Sequence, residues 1–162
     1  SLYGSWAGAY GNFQFMPTTI KNYALDFDNN STIQLKELND SFASAANYIN
    51  KIGWNRDQPC FFKVELKKKI SKKYLNTSAK KLTNKKKLKF FENYIKNFQN
   101  IEPYKDSIVA IITPDKDIIP NIGDFSPAYI VFKNYDLILK WNRSLRFALA
   151  VCTLKNKIKN EL

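Results

Sequence analysis

The chain contains no histidine, and its two cysteines, Cys60 and Cys152, stand far apart and outside any metal-ligand spacing. Zinc sites built from histidine and cysteine, and triads that use a histidine base, are therefore excluded. Arginine is almost as scarce. Arg56, Arg143 and Arg146 are the only ones among 26 basic residues, so lysine supplies nearly all of the formal net charge of +12. Readers of bases and phosphates lean on arginine forks, which argues against a nucleic-acid partner. The excess positive charge still suits an anionic partner, such as an acidic lipid surface or an acidic polysaccharide. No apolar run approaches the length of a membrane span, and the amino terminus shows no basic region followed by an apolar stretch. The cysteines are expected as two separate buried thiols, a Cys60–Cys152 bridge being the alternative in an oxidising compartment.

With 44% hydrophobic and 15% aromatic residues, 162 residues can bury a real core. Residues 4–17 mix glycine with aromatics and read as a close-packed loop. Thr18 or Thr19 is the expected cap of a short helix reaching about Leu25. Ser41 to Ile52 carries Phe42, Ala45, Ala46, Ile49 and Ile52 at helical spacing, and Gly53 stands where a helix stops. Lysine density peaks between Asn55 and Asn100, mostly as solvated surface. Ile108–Thr113 and Ala128–Phe132, bounded by Pro114, Pro120 and Pro127, read as strands of a small β subdomain. Helical pattern returns from Tyr135 through Leu137, Ile138 and Trp141, and an amphipathic helix through Leu145, Leu149, Cys152 and Ile158 ends the chain. The expected division is 1–59, 60–133 and 134–162.

From Asp26, the residues Asp26, Asp28, Asn30, Thr32, Gln34 and Glu37 occupy positions one, three, five, seven, nine and twelve of the EF-hand template. Alternating oxygen donors let a curling chain wrap a hard cation. Ser31 departs from the template, which wants glycine for a turn with positive φ. The expected ion is structural and weakly held, calcium with sodium as the alternative.

Several blocks together resemble one family. Gly4 to Thr18 is similar to the Gly-Ser-(aromatic)-Ala-Gly-Ala-Met-Gly-x-x-Gln-Phe-Met-Pro-Ser block of lytic murein transglycosylases of the B type, glycoside hydrolase family 103, with Tyr10 in place of the methionine. Tyr23-Ala24-Leu25-Asp26-Phe27, Ala46-Asn47-Tyr48, Gly53-Trp54, Trp141-Asn142-Arg143-Ser144 and Phe147-Ala148-Leu149-Ala150-Val151 follow in the family's order. The lysine-rich middle matches poorly. The resemblance implies an α+β, mainly α fold: part of a lysozyme-like transglycosylase core with an EF-hand-like loop and a small β subdomain. It implies peptidoglycan glycan strands as the partner, bound by Ser5, Gln14, Tyr48, Trp141, Asn142 and Phe147, the last replacing a family tyrosine. It implies Asp40 rather than Glu37 as the last ligand of the cation loop, completing Asp26, Asp28, Asn30 and Thr32. A periplasmic monomer, with membrane anchoring of a longer parent left open and no nucleic-acid partner, completes the expectation.

The family's reaction uses one glutamate in a Glu-x-x-(aromatic)-Gly motif, first as acid to the leaving oxygen and then as base to the muramic acid 6-hydroxyl. Glu37, Glu65, Glu92, Glu102 and Glu161 lie in no such motif. The chain is expected to be a fragment of an active enzyme, inactive alone, with no catalytic residue assigned. The competing expectation is a non-catalytic, calcium-stabilised glycan-binding module.

Overall fold

In the computed structural model, residue 5 and residues 7–67, 69–114 and 126–161 are described. Gly4 and Pro120, used above, lie outside them. The chain forms two compact units, residues 1–55 and 56–162.

In the first unit, α1 (Pro17–Tyr23) begins at a proline, with Met16 as N-cap and no side-chain cap. The expected threonine cap is not used. Proline needs no N–H partner at the first helical position and its fixed φ already suits the helix. The second helix, α2, spans Leu38–Lys51. Gly53, just past its end, has φ +99°, the left-handed geometry that suits glycine there.

The buried face of α2 differs from the one expected. Phe42 is 60% exposed, Ala46 is also exposed, and the buried set is Asp40, Ser41, Ser44, Ala45 and Tyr48. The reason is polar satisfaction. The Ser44 hydroxyl accepts the Leu25 N–H at 2.9 Å, Ser41 accepts the Asn12 amide at 3.1 Å, and Asn47 donates to the Tyr23 carbonyl at 2.9 Å. Loop groups that would otherwise be buried unpaired turn the helix's small polar residues inward. Asp40 is the extreme case. At 1% exposure, its carboxylate accepts the Phe27 N–H at 2.8 Å and the Gln34 N–H at 2.7 Å, so one side chain closes both ends of the loop that precedes α2. These two donors, Gln34 foremost, hold its pKa below the ordinary aspartate value against the opposing effect of burial.

The second unit is built on a five-stranded sheet in the order β1 (Phe61–Val64), β5 (Ala128–Val131), β4 (Ile108–Ile112), β2 (Leu75–Asn76), with β3 (Lys86–Lys87) also pairing β4. Only β2 runs parallel to its neighbour β4; the other pairings are antiparallel. The central strand β4 is buried from Val109 to Ile112, as its uninterrupted apolar run predicts. Two short 3-10 helices, Leu88–Tyr94 and Phe98–Asn100, contribute Leu88, Phe91 and Phe98 to the core against Ile111, Ile130 and Phe132, and Tyr104 of a third, Glu102–Tyr104, packs half-buried against it. Helices α3 (Lys133–Trp141) and α4 (Leu145–Glu161) follow the sheet. The buried Tyr135 hydroxyl donates to the Leu145 carbonyl at 2.6 Å and ties them together.

Cys60, just before β1, and Cys152, on α4, form a disulfide, with Cα atoms 5.9 Å apart and both residues fully buried. The expectation of two separate thiols is corrected: the fold brings α4 against the start of β1 at bonding distance. The bridge spans 92 residues, a long loop whose closure restricts the unfolded chain.

Two outcomes follow. Replacing Cys60 and Cys152 by serine lowers unfolding free energy by about 2–5 kcal/mol in urea titration, and reduction of the wild-type chain gives the same loss. For Asp40, a lowered folded pKa means that the unfolded state takes up the proton first as pH falls. The carboxylate's contribution is full above the ordinary aspartate range and disappears as pH drops below about 4. Amide exchange protection at Phe27 and Gln34 should therefore collapse on acidification. In Asp40→Asn protection at one of the two should already be lost at neutral pH, because the remaining amide oxygen can accept only one of these N–H groups and the amide nitrogen accepts neither.

Candidate active site and cation loop

Gly11 initiates the first cluster. Its φ is +79°, and a Cβ there would lie 2.6 Å from the Leu35 carbonyl oxygen, so no side chain fits. This close approach lets residues 10–15 double back, with the Tyr10 and Phe15 N–H groups each donating to the other's carbonyl at 3.0 and 2.9 Å. Gln14 sits at the tip with φ +50°, its amide nitrogen donating to the Gly11 carbonyl at 2.9 Å. That leaves the exposed amide oxygen of Gln14 as an acceptor. Ser5 lies one turn earlier. Its hydroxyl accepts the Ala9 N–H at 3.1 Å and remains exposed.

Tyr48 stands apart from these exposed groups. Only 8% exposed, its ring packs edge-on to Phe15 at 6.3 Å and against Tyr23 at 4.9 Å between centroids. Burial, with Tyr23 adding to it, raises its hydroxyl pKa. Phe15, at 2% exposure, joins the Gln14 hairpin to Tyr48 on α2. Sequence reasoning did not single out Phe15, although its place between Gln14 and Pro17 was the available signal.

The loop before α2 gathers the acidic residues. One carboxylate oxygen each from Asp26, Asp28 and Asp40 lie within 4.8 Å of one another. Asp26 accepts the Asn30 and Ser31 N–H groups at 3.1 and 2.8 Å, Asp28 accepts Asn30 at 3.2 Å, and the Asn30 side-chain oxygen accepts the Thr32 N–H at 2.9 Å. These bonds curl the backbone around the carboxylates. Asn29 and Ser31 have φ +60° and +67°, so Ser31 adopts the left-handed turn for which the template uses glycine. Glu37 is exposed as N-cap of α2 and stands outside the cluster of described acidic residues. The donor set, three carboxylates with the Asn30 amide in the same loop, consists of hard oxygens and fits an oxygen-seeking cation in type.

In the second unit, Trp141, Asn142 and Phe147 flank the turn between α3 and α4. Trp141 closes α3 half-buried; Asn142 is its exposed C-cap, with its N–H donating to the Ile138 carbonyl at 3.0 Å. The Asn142 carbonyl accepts the Ser144 N–H at 2.8 Å, and the Ser144 hydroxyl accepts the Phe147 N–H at 3.2 Å. This cap starts α4 and leaves Phe147 40% exposed. An amide, an indole and a phenyl ring thus share one turn.

All five glutamates are exposed. None has the water-shielded carboxyl that an acid and base at one centre requires.

The transglycosylase SLT domain family matches residues 1–156. The membrane-bound lytic murein transglycosylase B of Escherichia coli K12 is 46% identical over 54 residues, which are 33% of this chain and 15% of that protein. Crystalline SltB3 from Pseudomonas aeruginosa in complex with NAG-anhNAM-pentapeptide superimposes with TM-score 0.79 and 31% identity, over 98% of this chain and 40% of SltB3. The E. coli lytic transglycosylase Slt35 in complex with calcium shares the fold, with TM-score 0.69 and 23% identity, over 99% of this chain and 47% of Slt35. The chain therefore spans less than half the length of each of these relatives. Its architecture is the lysozyme-like transglycosylase fold, mainly helical with a small β subdomain, and with residues 1–156 matched the chain belongs to the transglycosylase SLT domain family.

Proposed function

We propose that these 162 residues are the distal part of a peptidoglycan lytic transglycosylase. The parent would cleave the glycosidic bond between N-acetylmuramic acid and N-acetylglucosamine and leave 1,6-anhydromuramoyl ends. The observation that carries this reading is the 31% identity and TM-score of 0.79 to SltB3, a relative crystallised with NAG-anhNAM-pentapeptide. Ser5, Gln14, Tyr48, Trp141, Asn142 and Phe147 are the proposed glycan contacts. Exposed amides and hydroxyls suit sugar hydroxyl and acetamido groups, and the rings of Trp141 and Phe147 suit pyranose faces.

The acid and base is assigned to a glutamate outside these residues, because every glutamate here is exposed and lies outside the family's motif. In the intact enzyme it protonates the leaving N-acetylglucosamine oxygen and then accepts the proton of the 6-hydroxyl, which closes onto the anomeric carbon. The net change is bond cleavage with no water consumed.

Calcium is the proposed ion of the 26–40 loop, held by Asp26, Asp28, Asn30, Thr32 and Asp40. Its role is structural, since it would neutralise three clustered carboxylates and fix the start of α2. The buried Cys60–Cys152 bridge supports an oxidising compartment, here the periplasm. The protein is proposed to act there as a monomer, with anchoring to the membrane a property of its longer form.

Mass spectrometry of digested sacculi tests the main reading. An amino-terminally extended chain that carries the family's Glu-x-x-(aromatic)-Gly helix should release 1,6-anhydromuropeptides, and the 162 residues alone should release none. Gln14→Ala or Asn142→Ala in the extended chain should lower the rate about tenfold, the value of one lost hydrogen bond of about 1.4 kcal/mol. No product from the extended chain, with glycan binding intact, would point to a non-catalytic glycan-binding module. For the ion, calcium at about a hundred times its Kd should stabilise the chain by about 2.7 kcal/mol. Asp26→Asn should abolish that gain in a thermal melt.

A further inference from the structure

The lysine-rich middle of the chain has no part in the proposed chemistry, yet its charge is concentrated. Residues 67–89 hold eleven of the 23 lysines (26 basic residues less three arginines), with no acidic residue and no arginine among them. A general drift toward lysine would not confine nearly half of them to one short segment.

The same segment leads into an exposed aromatic, Phe90, flanked by the half-buried rings of Tyr74 and Tyr94. Phe90 is 42% exposed on the 3-10 helix Leu88–Tyr94 and lies 5.3 Å from Tyr74 and 6.4 Å from Tyr94 between ring centroids. The Lys86 ammonium stands over the Phe90 ring at 5.8 Å, and the Lys73 ammonium over the Tyr74 ring at 5.1 Å. Lys67 is fixed nearby through its N–H, which donates to the Tyr94 carbonyl at 2.9 Å. Asp106 takes up Lys87 and Lys89, and Asp136 takes up Lys85. Glu92 is the one carboxylate on the aromatic turn.

We propose that this surface, Lys67, Lys73, Tyr74, Lys86, Phe90 and Tyr94, docks the protein onto a bilayer bearing anionic phospholipid. Lysines are flexible point charges suited to diffuse phosphate headgroups, whereas fixed recognition of a base or a single phosphate favours arginine. The rings of Phe90 and Tyr74, on which a base or a sugar would stack, each already carry an ammonium group over one face. Phe90 stays 42% exposed among these lysines, the arrangement of an interfacial aromatic at headgroup depth. Because the surface lies wholly in residues 56–162 and uses none of the proposed sugar contacts, it stands or falls independently of the enzymatic reading.

Co-sedimentation with vesicles of phosphatidylcholine, alone and with about three parts in ten phosphatidylglycerol, decides the matter. The wild-type chain should bind only the anionic vesicles, and should be released at about 0.5 M salt. Neutralising two lysines in Lys73→Gln/Lys86→Gln should weaken binding about 25-fold, about fivefold for each. Both residues are exposed, so an unchanged thermal melt is expected. Phe90→Trp should show a blue-shifted emission with anionic vesicles beyond that of the wild-type tryptophans. Equal binding to neutral vesicles, no binding to either, an unaffected double variant, an unshifted Phe90→Trp, or tighter binding to single-stranded DNA at equal phosphate would overturn the proposal.

Discussion

A carboxylate almost wholly withdrawn from solvent is tolerable only if hydrogen bonds replace the water it has lost. Asp40 meets that condition with two backbone N–H groups, from Phe27 and Gln34. The same pair of bonds closes the acidic loop and seats the first turn of α2. Much else in residues 5–55 depends on this seat. Ser41 and Ser44 reach the Asn12 and Leu25 groups only from that helix orientation, and Tyr48 then meets Phe15 beneath the Gln14 hairpin. The loop thus links the cluster of Asp26, Asp28 and Asp40 to the segment that presents Gln14. Mutual repulsion of Asp26, Asp28 and Asp40 is a cost that a bound cation would remove.

Residues 56–161 are organised on a different principle. The buried apolar strand β4 contacts β5, β2 and β3, and the core beside it is completed by 3-10 helices rather than by regular α-helix. Short turns suit a segment whose lysines must stay wet while Leu88, Phe91, Ile95 and Phe98 point inward. The Cys60–Cys152 bridge fastens the terminal helix to the sheet. The turn carrying Trp141, Asn142 and Phe147 is held by Tyr135 and by the Ser144 cap.

The parts legible in the sequence were those with strong local signals. β4 announced itself by an unbroken β-branched run, Gly53 by its place after a helical pattern, and the acidic loop by alternating oxygen-bearing residues. The inward face of α2 was not legible, because periodicity counts apolar residues, and here Ser41, Ser44 and Asp40 are buried by partners distant in sequence. β1, β2, β3 and the 3-10 helices were missed for a related reason: two-residue and four-residue strands have too little pattern, and their pairing is set by β4 and β5. The disulfide stood in the sequence only as the second alternative, since the distance between Cys60 and Cys152 is decided only when α4 packs. The proposed glycan contacts stood out only as blocks in order; individually, Gln14 or Asn142 would pass for an ordinary turn residue.

The central claim is that this chain presents the sugar-contacting side chains of a transglycosylase. The most direct measurement is binding of the 162 residues to purified sacculi at physiological salt, for wild type, Asn142→Ala, Trp141→Ala and Lys73→Gln/Lys86→Gln. Saturable binding that falls about tenfold or more in the Asn142 and Trp141 variants and persists in the lysine variant is the predicted result. Binding that ignores Asn142 and Trp141 but vanishes with the lysines would contradict the account, reducing the interaction to charge alone.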